Sequence, residues 1–275
     1  MMKSSVLHEK MKSYTDFKPI SIEKQICIDS SGMFFLEFKE DGEYELLVAP
    51  GVDVILKVQL SNKNTKIKIE IQENSNVGYY VISENESMNT MVLIHENSYL
   101  ETYEFFGNIM SETLFHVDLL GYQATIDYKM GLYGKDKESH THKVTVHHLV
   151  SHTHSNINKR AVLSDNSLCT FDVESFIKKG SSQSSAYQKS KIVNLSDTTV
   201  SHINPILLID DYDVMAGHGA TISKVQPDEL YYLQSRGLTK QASLKLITLG
   251  FLLELVPKYL QEEIENKIER MMNHE

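Results

Sequence analysis

ENSNVGYYV (residues 73–81) and ENSYLETYE (residues 96–104) lie 23 residues apart, and each runs from an acid-Asn-Ser turn into a strand-like segment. A third copy of the pattern, DNSLCTFDV (residues 165–173), follows the second by 69 residues, three times that spacing. Self-similarity at a fixed period of roughly 20–50 residues is the mark of stacked structural units. The spacing therefore predicts a chain that coils, with one turn of each coil lying over the same turn of the next.

The residues around these turns are strand-like from about Met33 to Val225. MFFLEF (33–38), YELLVA (44–49), VDVILKVQL (52–60), TKIKIEIQ (65–72) and YLETYEFF (99–106) are short apolar or alternating runs. In TKIKIEI the isoleucines Ile67, Ile69 and Ile71 alternate with Lys66, Lys68 and Glu70, so period two places them on one buried face. APG (49–51) and EDG (40–42) punctuate the runs. No amphipathic helical window interrupts them, although parallel strands ordinarily need long, usually helical, crossovers. An antiparallel sandwich or barrel and a β-solenoid are the architectures consistent with this pattern. The repeated turn favours the solenoid: a mainly β fold with a parallel β-helix core over 31–225, preceded by an N-terminal segment, 1–30.

The last fifty residues change character and predict a C-terminal helical domain, 226–275. PDELYYLQSR (227–236) opens with Pro227 and two acids, and Gly237 can stop it. Thr239 can cap TKQASLKLITLGFLLELV, whose apolar residues are too many for one stripe and call for burial on several sides. Pro257 ends that helix. In KYLQEEIENKIERMM, Leu260, Ile264, Ile268 and Met271 form a single apolar stripe. Tyr231, Tyr232 and Leu233 read as packing residues, and Arg236 as a helix-end or carboxylate partner.

Composition narrows the function. The net charge of -10 and the lack of a basic patch argue against nucleic-acid binding. No apolar run approaches the roughly 18–20 residues of a membrane span, and MMKSSVLHEKMKSYTDF lacks the apolar core of a secretory signal, so no membrane partner and a cytoplasmic location are expected. Cys27 and Cys169 are isolated. Both read as small core residues, and two thiols cannot hold a four-cysteine cluster in one chain. No nucleophile–base pair, phosphate-binding glycine loop or ATPase motif is present, so no catalysis is expected of this chain.

Histidines are concentrated in KESHTHKVTVHHLVSHTHS (137–155), which holds six of the 12. On an extended strand His140 and His142 share a face, as would His152 and His154. Imidazole pairs bind zinc, iron or copper. Gly134, five residues, His140-Thr-His142 also matches the opening half of a cupin metal motif, but the Glu expected next is replaced by Val146 and His147. A polar ladder of hydrogen-bonded imidazoles is the competing reading. His218, between Gly217 and Gly219, is either a metal or cluster contact or a capping residue in a tight turn. His202, just before Pro205, is either a second ligand or a ladder residue.

IDDYDVMAGHGATISKVQPDELYYLQSRGL (209–238) carries an ordered set of motifs. A proline enters an apolar strand (NPILLI, 204–209), followed by Asp213-Val214, His218–Thr221 (HGAT), the acids Asp228 and Glu229, and Tyr231–Gly237 (YYLQSRG). With Gly250–Phe251, the histidine run at 147–155 and the Ala186–Gln188 region, this resembles the C-terminal signature of the SufB/SufD family of iron–sulfur cluster assembly proteins. The resemblance spans about half the chain. It implies a right-handed parallel β-helix core and a C-terminal helical domain. It also implies dimerisation through the β-helix, as a homodimer or with a SufB-like partner, and binding of a SufC-like ABC ATPase through 226–275. A transient iron–sulfur cluster is implied at the dimer interface, where the HGAT histidine corresponds to His218. The cysteine found on the SufB side is missing, with Thr199 at about its position in SDTTVSHIN (196–204), so the chain looks like a compact, SufD-like member. Two rival readings remain: a cupin-like metal-dependent enzyme using His140 and His142, and a β-helix interaction module without cluster chemistry.

Overall fold

The computed structural model of the protein describes residues 2–12, 16–61, 63–83, 87–107 and 110–273. Residues 1 and 13–15 of the expected N-terminal segment lie outside the described residues. Among the described residues the chain alternates between two sheets, and every strand pairs in parallel with the strand two places along. One sheet runs β1 (Lys18–Pro19), β3 (Gly32–Phe38), β5 (Asp53–Leu60), β7 (Asn76–Ser83), β9 (Tyr99–Gly107), β11 (Thr125–Gly134), β13 (His154–Leu163), β15 (Ser185–Asn194) and β17 (Met215–Lys224). The other runs β2 (Gln25–Ile28), β4 (Gly42–Val48), β6 (Asn64–Ile71), β8 (Ser87–Ile94), β10 (Ser111–Leu119), β12 (Ser139–His148), β14 (Leu168–Ile177) and β16 (Val200–Ile209). Each strand of one sheet thus serves as the crossover for two parallel neighbours in the other, which is why no helices are needed.

The repeated turns explain the register. Asn76 pairs with Tyr99, so the two ENS turns stack one coil apart. Asn74, Asn97, Gln123, His152 and Gln183 each sit two residues before a strand of the nine-stranded sheet, with φ between 58° and 60°. This left-handed conformation suits asparagine better than most residues. At the two ENS turns the serine that follows is buried and joins the coils. Ser75 Oγ donates to Ala49 O (2.8 Å) and accepts from Val52 N (3.2 Å). Ser98 Oγ donates to Gln72 O (2.6 Å) and accepts from Ser75 N (3.1 Å). The third turn does not belong to this stack. DNS at 165–167 leads into β14 of the eight-stranded sheet, and the coil lengthens from 23 residues at Ser75–Ser98 to 29 at Ser111–His140 and 31 at Thr153–Ser184. Its spacing of three times 23 is a coincidence.

The core sits between the sheets, where Leu36, Leu56, Val58, Ile67, Ile69, Ile71, Val81, Val92 and Val117 are all but inaccessible. The alternation read in TKIKIEI holds. It corrects the reading of Cys27, however: Ile26 and Ile28 face inward, so Cys27 between them is exposed. Cys169 is fully buried.

A second apolar cluster lies on the outer face of the nine-stranded sheet. There α1 (Met2–Met11), α3 (Lys240–Leu253) and α4 (Gln261–Met272) cover Ile55, Tyr80, Tyr103, Phe105 and Val162. The stripe Leu260, Ile264, Ile268 and Met271 is buried as expected. Thr239 caps α3, its hydroxyl accepting from Ala242 N at 3.1 Å, and Pro257 opens a 3-10 turn, Lys258–Leu260. Burial of α3 on several sides is not realised: Leu249 and Leu252 are buried, but Leu246 is 52% exposed, because one face of the helix contacts the sheet and α4. Ion pairs tie the layers together, among them buried Arg160 Nη2 to the exposed Glu254 (2.6 Å) and Lys57 to the exposed Glu263 (2.6 Å). Among the described residues no helix is long and apolar enough to cross a membrane.

Candidate functional site

The residues singled out in the sequence fall in three places. His218 lies on β17, the last strand of its sheet, with Gln188 opposite it on β15. The AGHGA segment is extended strand, not a tight turn, and neither Gly217 nor Gly219 has a positive φ. The reading of His218 as a turn cap is therefore corrected. The histidine is exposed, in the middle of an open sheet edge. Beneath it Gln188, 4% exposed, donates through Nε2 to Ser175 Oγ (2.8 Å) and Ile206 O (3.0 Å), bridging the two sheets at their shared end. His202 lies on β16, also the last strand of its sheet, and is exposed. Ile203 next to it packs on the core, so His202 points away from the interior toward which His218 is aligned. Pro205 fits only here, since a strand at a sheet edge tolerates a residue without an N–H. Thr199 precedes β16, its hydroxyl donating to Ser196 O at 3.0 Å.

His140 and His142 lie inside the coil, fully buried on β12, with their rings stacked at 6.2 Å. Three of their four ring nitrogens face hydroxyls, and the fourth, His140 Nε2, lies 3.3 Å from Glu138 Oε2. Ser111 Oγ lies 2.8 Å from His140 Nδ1 and 3.0 Å from His142 Nε2, and Thr113 Oγ1 lies 2.7 Å from His142 Nδ1. Burial, with the Lys159 charge, holds His142 well below the usual imidazole range, so it is neutral. The pair is part of a buried polar network rather than an open metal site, and the cupin-like reading is not favoured. The matching pairing of His152 with His154 is corrected: His152 occupies a left-handed turn position, and only His154 starts a strand.

Two residues that the sequence reading missed, Lys159 and Glu104, share this interior with Cys169, which is buried as expected. Lys159 is fully buried; its Nζ donates to His142 O (2.7 Å) and lies 4.3 Å from the centre of the Phe171 ring. Burial pushes this ammonium down to about 7. Glu104 accepts from Tyr128 and is raised by burial to about 7. Cys169 is pushed up to about 12 by burial, which keeps its thiol protonated and a poor ligand. A lysine at an inward position of NINKRAVL (156–163) breaks the alternation, and that break was the available signal.

At the helical end, α2 (Pro227–Ser235) buries no side chain. Tyr231 is 75% and Tyr232 57% exposed, which corrects their reading as packing residues: α2 stands off the sheet and contacts α3. Arg236 ends the helix with its guanidinium 5.3 Å from the Tyr232 ring centre. A groove between β15, β17, α2 and α3 is lined by Lys191, Thr221, Glu229, Tyr232, Leu246 and Phe251.

Comparison with known proteins bears on this arrangement. Residues 51–251 match the family described as SUF system FeS cluster assembly, SufBD core domain. The chain is 33% identical over 170 residues to the iron-sulfur cluster assembly protein SufD of Bacillus subtilis, covering 59% of this chain and 38% of that one. It is 30% identical over 125 residues to an iron-sulfur cluster assembly SufBD family protein of Mycobacterium tuberculosis, covering 46% of this chain and 15% of that one. The aligned region is thus well under half the length of these relatives. The matched segment runs from the turn before β5 to Phe251 in α3 and takes in strands β5 to β17, the terminal strand pair included, and α2, so this chain belongs to the SufBD core family of the SUF iron–sulfur cluster assembly system.

Proposed function

We propose that this protein is a SufD-like assembly component. In this reading residues 31–225 form a right-handed parallel β-helix that dimerises end to end, residues 226–275 dock a SufC-like ABC ATPase, and 1–30 form a leading segment. The iron–sulfur cluster, or iron on its way to one, is cargo handled at the dimer interface beside His218. The chain itself supplies no catalysis, and ATP hydrolysis belongs to the partner.

The supporting observation is the pair of strands β16 and β17. Each ends its sheet, and among the described residues neither has a strand beyond it. An unpaired edge offers a row of backbone donors and acceptors to another chain. These edges also expose apolar side chains: Val200 42%, Ile206 42%, Leu208 47%, Met215 62% and Ile222 47%. Such a surface suits a second β-helix, either another copy or a SufB-like chain, and would put His218 at the junction. The ATPase assignment draws on α2, α3 and the link between them, which expose Tyr231, Tyr232, Leu238 and Leu246.

The test is co-purification of the full chain with the SUF-type ATPase from the same operon or genome, at low salt. A stable complex that is lost on removing 226–275, with the remaining chain still folded, supports the reading; no complex with the intact folded chain overturns it. Anaerobic reconstitution with iron and sulfide, followed by visible absorption, separates a cluster-handling dimer from an interaction module without cluster chemistry. A cluster that forms in the wild type and not in His218→Ala favours the former.

A further inference from the structure

A second histidine group lies on the outer face of the eight-stranded sheet, away from the terminal edges. Among the described residues, His116, Asp118 and His147 are the one set of three potential ligands whose donor atoms fall within 4.8 Å of one another. His116 and Asp118 are two apart on β10 and so share a face, and Asp118 is the direct cross-strand partner of His147 on β12. His116 Nε2 lies 2.9 Å and His147 Nδ1 3.0 Å from the same Asp118 oxygen, Oδ1. The two rings are 4.6 Å apart and nearly perpendicular, and His147 is braced edge-on by Phe176 from β14 at 5.6 Å.

We propose that these three side chains form a binding site for a divalent first-row transition metal ion. Two imidazoles and one carboxylate suit zinc, iron(II) or cobalt(II), whereas calcium and magnesium prefer oxygen donors throughout. An ion about 2.1 Å from each ligand sets neighbouring donor atoms about 3.0–3.4 Å apart, and two of the pairs already stand close to that separation. The site is held by adjacent hydrogen-bonded strands deep in a stacked sheet, so its ligands are fixed without help from loops. The side chains are 24%, 18% and 30% exposed, enough to admit an ion and leave it open positions for water or a further ligand. Without metal, Asp118 accepts from both imidazoles. With metal, each imidazole turns the same nitrogen's lone pair to the ion and carries its proton on the other ring nitrogen. The site is distinct from His218 and does not depend on the assembly role.

Titration of the tag-free, full-length protein with cobalt(II), followed by visible absorption, and with zinc(II), followed by calorimetry, tests this. One ion should bind per chain. Asp118→Asn and His147→Gln should each weaken binding by at least about 10-fold, the low end of what loss of even a supporting hydrogen-bond partner costs a metal site. His95→Gln, at a half-buried histidine that pairs with Glu70 outside this site, should bind as the wild type does. Thermal melts check folding. If both ligand variants melt early, cobalt-shifted imidazole proton resonances of two histidines in the wild type carry the test instead. No stoichiometric uptake by the wild type, or uptake unchanged in the folded Asp118→Asn, His147→Gln double variant, would overturn the proposal.

Discussion

His148 is buried, with Thr153 Oγ1 2.8 Å from Nδ1 and Ser155 Oγ 2.8 Å from Nε2, and burial pushes its imidazole down to about 3. The folded protein keeps it neutral while the unfolded chain takes up a proton below about 6.5, so its contribution is complete above that pH and is lost as pH falls toward 3. Urea unfolding of the wild type should lose about 3 kcal/mol more between pH 7 and pH 4 than unfolding of His148→Gln; parallel pH curves would refute this. Glu101 titrates lower. Burial raises its carboxyl, but the His8 hydrogen bond and the Lys129 charge outweigh burial and bring it to about 2. Its stabilisation is full above about pH 4.5 and disappears as pH falls toward 2. Glu101→Gln should cost about 3 kcal/mol at pH 7, measured by chemical denaturation, because it leaves Lys129 and His8 short of a buried partner. A loss under 0.5 kcal/mol would show that α1 does not depend on this contact. That His140 and His142 share a face was legible from the residues alone. Their burial was not, since it depends on Ser111 and Thr113, about thirty residues away on the neighbouring strand.

The corner turns are where local sequence and stacking meet. Ser98→Ala removes an acceptor for Ser75 N and a donor to Gln72 O, both on the preceding coil. Leaving such buried groups unpaired should lower stability by about 2 kcal/mol. Asn97→Gly, which relaxes the left-handed backbone at φ 58°, should change it by a few tenths at most. Equal effects of the two variants in denaturant titrations would mean that the serine stack carries little of the load. The ENS motif was readable because 23 residues is the true coil length at that point. It failed at 165–167 because the strands lengthen to ten residues and the coil with them. The helices show the same division. The caps and the α4 stripe are local and were readable. The exposure of α2 was not, because YYL is apolar enough to pack and only its standing-off from the sheet leaves it in solvent.

The proposed assembly rests on surfaces that a solitary molecule would be expected to cover. Lysine at two edge positions, Leu208→Lys with Ile222→Lys, should weaken self-association or pairing with a SufB-like chain at least about 10-fold by analytical ultracentrifugation, since buried unpaired charge costs several kcal/mol. The melting temperature of the chain itself should stay within a few degrees. Tyr231→Ala with Leu238→Asp should reduce ATPase co-purification without altering that association, because both side chains are exposed and neither lines the groove that α2 and α3 share with β17. Loss of both interactions in either variant would point to a single shared surface.

Period-two alternation, the missing helical windows, the ENS spacing and the capped C-terminal segments are sufficient by themselves to select a parallel β architecture with helices at its end. Those signals act between residues a few positions apart or one short coil apart, where side-chain period and turn conformation are fixed locally. The motif order from Pro205 to Gly237 likewise marked the family. Only the folded chain decided which residues meet across coils of changing length. Asp118 meets His147 through the register of β10 and β12, Lys159 reaches His142 O from the opposite sheet, and Glu101 reaches His8 on α1, and no single period in the residues encodes these contacts.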